Sequence, residues 1–183
     1  MKAMQPLGMF YVNDLPVEVE ASGHDYKAYI PGTPLRWVGT LDYQVTLHDF
    51  EATLGYWISE QIDLYREALA HIEWVRTARK AAADDIRTLR DAGCGKSSID
   101  SVLLMKFDHL RPPRATRREC LLNARDNARV ARHNYQYFRA GGVKLPCGAD
   151  DSWFENHVEA PRHHAKLLAM CAKVLKMGAV ANV

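Results

Sequence analysis

No window of this 183-residue chain approaches the roughly 18 consecutive apolar residues that a membrane-spanning helix requires, which removes that class from consideration. The stretch Met1-Lys2-Ala3-Met4-Gln5-Pro6 has no long apolar core behind its lysine, so a secretory leader is not expected and a cytoplasmic protein is. The four cysteines, Cys94, Cys120, Cys147 and Cys171, are scattered without any Cys-x-x-Cys pair. That spacing argues against a zinc knuckle or redox dithiol and leaves reduced core thiols. Proline is missing between Pro34 and Pro112, and Gly55 is the single glycine between Gly39 and Gly93. A chain without breakers over such a length is free to form one uninterrupted helix.

What is present is ordinary globular material with an unusual arrangement of charge. The composition, 48% hydrophobic and 25% charged, argues against disorder. The net charge of +2 conceals an asymmetry: residues 1–69 hold ten acids against four bases, and the remainder holds twelve acids against twenty bases. Within residues 106–144 ten lysines or arginines face only Asp108, Glu119 and Asp126. A chain polarised in this way either neutralises itself on folding or keeps a basic surface for an acidic partner.

Residues 8–45 carry short apolar or alternating runs separated by Asn13-Asp14, Ser22-Gly23-His24-Asp25 and Pro31-Gly32-Thr33-Pro34, which is turn chemistry. A meander of three or four antiparallel strands follows, and so small a sheet must pack on something. From Thr46 the period becomes helical, with Leu47, Phe50, Leu54, Trp57, Ile58, Leu64, Tyr65, Leu69, Ile72, Val75, Ala78, Ala82, Ile86 and Leu89 near one stripe. One helix over 46–92 is expected, ended by Gly93-Cys94-Gly95. Ser97-Ser98-Ile99-Asp100 has the capping pattern of a second helix that Pro112-Pro113 interrupts, and a third, over about 114–139, ends at Gly141-Gly142. Its apolar row is read as Leu121, Ala124, Ala128, Ala131, Tyr135 and Phe138. Asp151-Ser152-Trp153-Phe154-Glu155 offers a further cap, and Pro161 suits the first position of a last helix that ends before Gly178, within C-terminal helices over 153–178. On that helix His164, Leu168, Cys171 and Leu175 are expected on the buried side. The expected fold is therefore α+β and mainly α: a β-meander subdomain over residues 1–45, packed on an antiparallel helical hairpin or three-helix coiled-coil-like bundle over 46–183.

Motifs for chemistry fail one by one. Gly95-Lys96-Ser97 ends like a phosphate loop, yet the position five before Gly95 is Arg90 rather than glycine, and a helix leads into it. Ile86, Leu89, Gly93, Ile99, Val102 and Leu103 have helix-turn-helix spacing, but the outward set Lys96, Ser97, Ser98, Asp100 and Ser101 has one cation for base edges. His157, His163, His164, Cys147 and Cys171 lack the i, i+3 or i+4 spacing that converges ligands on one ion, so no metal or cofactor is expected. No serine sits on a nucleophile elbow, and an enzyme would need a site assembled from scattered histidines and cysteines.

The positive feature is a row of arginines seven residues apart: Arg118, Arg125, Arg132 and Arg139, joined by Arg129 and preceded by Arg111, Arg114 and Arg117. Seven residues are close to two helical turns, so the row forms a ridge about 32 Å long. Guanidinium forks suit carboxylates and phosphates alike. The sequence-level alternative is neutralisation by Glu51, Glu60, Asp63, Glu67 and Glu73. The reading that follows is a non-enzymatic, homo-oligomeric binding protein whose Arg114, Arg117, Arg118, Arg125, Arg129, Arg132 and Arg139 engage a protein partner with an acidic surface. Nucleic acid is the other candidate partner. The Arg- and Ala-rich composition fits a GC-rich bacterial or phage source, and with it a small accessory or inhibitory factor of a mobile element.

Overall fold

The computed structural model describes residues 3–41, 46–107, 116–141 and 150–180. Four strands, β1 (Gln5–Val12), β2 (Leu15–Ser22), β3 (Asp25–Tyr29) and β4 (Arg36–Thr40), pair antiparallel in sequence order. The helices are α1 (Leu47–Asp91), α2 (Lys96–Phe107), α3 (Arg117–Arg139), α4 (Asp150–Phe154) and α5 (Ala160–Val180), with a π-helical turn over Glu155–Glu159 joining the last two. The fold is α+β and mainly helical, with the N-terminal sheet packed on helix. Two compact units divide the chain, Met1–Glu67 with Lys176–Val183, and Ala68–Leu175.

In the first unit the turn chemistry expected from the sequence is present. Asn13 and Asp14 both have positive φ (49° and 64°), as the type I′ hairpin demands, and their register joins Val12 to Leu15. Alternation along the strands turns Phe10, Val17, Val19, Tyr26, Ala28 and Trp37 inward. Phe50 of α1 fills that face, with ring centroids 5.7 Å from Phe10 and 5.0 Å from Tyr26, while Trp57 meets Trp37 at 6.3 Å. The hairpin tip is tied down as well: Asn13 Nδ2 donates to Ser59 Oγ (2.8 Å), and Arg66 donates to the Asn13 carbonyl (2.7 Å). The expected strand from Leu35 to Val45 is shorter, ending at Thr40, and residues 42–45 lie outside the described residues.

Helix α1 has the length the missing breakers imply, and Gly55 does not interrupt it. Its buried residues include Phe50, Ile58, Ile62, Ala68, Ile72, Val75, Ala78 and Ala82. Ile62 and Ala68 were not in the expected stripe, whereas Trp57 and Leu69, which were, remain substantially exposed. The helix ends in a Schellman motif: Gly93 at φ 76° donates to the Arg90 carbonyl and Cys94 donates to that of Leu89. Cys94 and Leu89 then pack with Ile86 and Phe107 around Ala82, Ile99 and Leu103, closing α1 and α2 into a hairpin. Lys106 and Asp85 clip it at 2.7 Å. Helix α2 starts at Lys96, with the Gly95 carbonyl accepting from Ser98 and Ile99, so Ser97 lies inside the first turn rather than capping it.

The last helical stretch also differs from expectation. Helix begins at Asp150, so Ser152 to Phe154 are helical residues and not a cap before one. Pro161 is the second residue of α5 and does not open a fresh helix. Because proline has no N–H, it cannot close the ordinary bond to the His157 carbonyl four residues earlier. The helix widens instead, and the Ala160 amide reaches back five residues to Glu155.

Candidate functional site

Helix α3 is built to present one face outward. It starts with a complete capping box: the Glu119 amide donates to Thr116 Oγ1 at 3.3 Å and the Thr116 amide donates to Glu119 Oε2 at 3.2 Å. Such a cap contributes about 1 kcal/mol and fixes the register of every side chain downstream. Gly141, at φ 71°, ends the helix with its amide on the Phe138 carbonyl.

The inward row keeps Ala124, Ala131 and Phe138 of the row read from apolar residues and differs in the rest. Cys120, Ala124 and Ala131 are buried, and Asn127, Asn134 and Phe138 are half-buried in line with them. The steps of 4, 3, 4, 3 and 4 residues are those of a coiled-coil seam. Burial pushes the Cys120 thiol pKa up, and the Glu119 carboxylate adds to the effect. Leu121, at 47% exposure, and Ala128 belong to the outer surface, so those two assignments are corrected; Leu122, at 46%, lies outward too. The physical reason is that the Asn127 and Asn134 amides both find carbonyl acceptors, one on the same helix and one on the π-helical turn, which lets polar residues take inward positions. Asn127 donates to the Asn123 carbonyl and Asn134 to that of His157.

Arg117, Arg118, Arg125, Arg129, Arg132 and Arg139 are all exposed on this single helix. Arg114 lies outside the described residues, as do Arg111 and Pro112-Pro113. Among the described residues the ridge makes one ion pair, Arg129 with Asp126 at 3.9 Å, both about two-thirds exposed. A solvated i,i+3 pair of that length contributes a few tenths of a kcal/mol at most. Of the acids considered as neutralising partners, Glu73 pairs with Arg76 on its own helix (3.7 Å) and Asp63 accepts from Asn13 (3.5 Å).

The foot of α3 rests on an aromatic knot that sequence periodicity does not reveal. Phe138 stacks on Trp153 (5.9 Å, 13°) and tilts against Phe154 (5.3 Å), and Tyr135 meets Phe154 edge-on at 6.3 Å. His157 lies flat on Trp153 (4.7 Å, 7°), donating from Nδ1 to the Trp153 carbonyl at 3.0 Å. Asn134 Nδ2 supplies the His157 carbonyl, at 2.8 Å, with the hydrogen bond that Pro161 cannot give. The knot holds the C-terminal half of the ridge in place.

The remaining candidates do not assemble. Among the described residues no group of three or more His, Cys, Asp or Glu is placed to hold a metal ion. His164 is exposed, contrary to expectation, with its ring 6.4 Å from His71; Leu168 and Cys171 are buried as expected, and Cys147 lies outside the described residues. The helix pair at 86–103 does pack, but Lys96, Ser97, Asp100 and Ser101 line a shallow groove together with Leu104 and present one cation. A second basic patch exists where Arg76, Arg79 and Lys80 rim a notch of about 450 Å³ over Ile72, Val75 and Leu175. No described helix is long and apolar enough to cross a membrane.

No protein-family model, curated protein or solved structure matches this chain.

Proposed function

We propose that this is a non-enzymatic binding protein whose α3 ridge receives an acidic surface of a protein partner. One observation carries the reading: Arg118, Arg125, Arg132 and Arg139 stand exposed in register, interleaved with exposed Leu121 and flanked by exposed Leu122. Arginine mixed with apolar side chains is the composition of a protein-binding surface. A track for a phosphate backbone gains nothing from leucine between its cations, and Tyr135 and Phe138, the aromatics nearest the row, are engaged in the knot rather than available for stacking bases.

The test compares poly-glutamate, random duplex DNA and single-stranded DNA at about 50 and 200 mM salt, using the wild-type chain and Arg125→Glu with Arg132→Glu. Poly-glutamate binding that disappears in the variant, beside weak DNA binding that does not change, supports the proposal. A DNA salt slope near −3.6, expected for four phosphate contacts, that collapses on charge reversal would replace it with nucleic-acid binding. The accessory or inhibitory role belongs to this same proposal and rests on composition, and the homo-oligomeric state is proposed with it.

A further inference from the structure

The ridge is one half of a longer pattern. Arg118, Leu121, Arg125, Ala128, Arg132, Tyr135 and Arg139 follow steps of 3, 4, 3, 4, 3 and 4 residues, the a/d spacing of a coiled coil. At 100° per residue this row lies about 110° around the helix from the inward row. Helix α3 thus carries two seams. The inner one, Cys120, Ala124, Asn127, Ala131, Asn134 and Phe138, is buried or half-buried. The outer one is exposed except at half-buried Tyr135, which the Phe154 ring and the Arg162 guanidinium hold in place.

Resting on the partner-binding reading, we infer that the outer seam is a docking register for a helix of the partner, one that carries carboxylates seven residues apart and apolar residues between them. Charge selects the occupant. Each arginine at an a position needs an acidic side chain opposite, and successive arginines sit about 10.5 Å apart, the rise of seven helical residues. A second copy of α3 docked in parallel would set arginine against arginine in every a layer, and like charges are excluded from such layers. The spaces at Leu121 and Ala128 accept a knob from the incoming helix, because one side chain is a flexible apolar group and the other is small. The fixed start at Thr116 and the knot around Phe138 hold this row straight before any partner arrives, so little order must be imposed on binding.

The experiment uses the full chain and two capped 28-residue peptides of identical composition. One has glutamate at every a position and leucine at every d position; in the other the same residues are shuffled so that no face repeats. Fluorescence anisotropy at about 50 mM salt reads the affinity of each. The heptad peptide is expected to bind at least tenfold more tightly than the shuffled one. That preference should vanish in Arg125→Glu with Arg132→Glu and persist in Arg79→Glu with Lys80→Glu, which reverses the other basic patch. Equal binding of both peptides, lost in the ridge variant, would overturn the helical register while leaving an acid-binding ridge intact. Absence of binding by either peptide overturns the register as well, and poly-glutamate binding then tells whether the ridge reading survives. Sedimentation showing a dimer that Leu121→Ser with Arg125→Glu dissociates would give the seam to a second copy and overturn the assignment.

Discussion

The π-helical turn makes a quantitative prediction about Asn134. Its amide donates to the His157 carbonyl at 2.8 Å, the one carbonyl that an N–H at position 161 would have met in an ordinary helix. Asn134→Ala removes that donor at a partly exposed site, which costs about 1 kcal/mol. Alanine is also the better helix former by about 0.6 kcal/mol, so the single variant should lose only about 0.4 kcal/mol, or roughly 1–2 °C in a protein of this size. The informative measurement is the cycle with Pro161→Ala. That change restores an amide able to close on His157, so Asn134→Ala in the Pro161→Ala background should be neutral or slightly stabilising. The propensity difference cancels between the two backgrounds, leaving a coupling of about 1 kcal/mol. Thermal and urea melts of the four proteins give it directly. A coupling indistinguishable from zero would refute the assignment of Asn134 as the substitute donor.

Two further outcomes follow from the sheet. A Cβ at Gly39 would lie 2.8 Å from the Tyr26 hydroxyl and 3.0 Å from its ring, and Tyr26 is buried against Phe50, so Gly39→Ala should lower stability by about 1–3 kcal/mol in denaturant melts while Gly55→Ala, which meets open space, should not. On the outer face Glu18 accepts from the Tyr29 hydroxyl; that bond, with partial desolvation and the charges of Glu18 and Glu20, pushes the phenol pKa up to about 12. The raised folded value favours the folded state below pH 10, and this contribution is lost as pH climbs from about 10 to 12. Glu18→Gln should bring the slowest-titrating tyrosine absorbance near 295 nm back toward 10, and no movement would contradict the Glu18 contact.

Helix α1 and the meander were legible because their signals are local. Missing prolines and glycines let one helix run to Gly93, and Asn13-Asp14 requires a turn whatever surrounds it. The α3 cap was a local signal as well, Thr116 and Glu119 standing at the capping-box spacing, but the expectation of a helix from about 114 passed over it. The inner face of α3 was not. Hydropathy places Leu121 and Ala128 inside, while the fold turns Asn127 and Asn134 inward, and at 134 only the position of the His157 carbonyl explains why an amide belongs there. Pro161 reads as a helix start in isolation. Its role as the cause of a widened turn emerges once Glu155 and Ala160 are seen to bond across five residues. The arginine row itself was plain in the spacing, whereas the second seam needed knowledge of which residues face solvent.

Asn13 has two duties that pull in one direction. Its backbone adopts the left-handed shape of the hairpin, and its side chain and carbonyl are moored to Ser59 and Arg66. Glycine would satisfy the bend at least as well, yet would cut the side-chain bonds to Ser59 and Asp63 and keep only the carbonyl's bond from Arg66. Sequence variation at this position should therefore be narrower than hairpin statistics suggest, with the strand pair able to form anywhere but seated correctly only where that amide finds its helix.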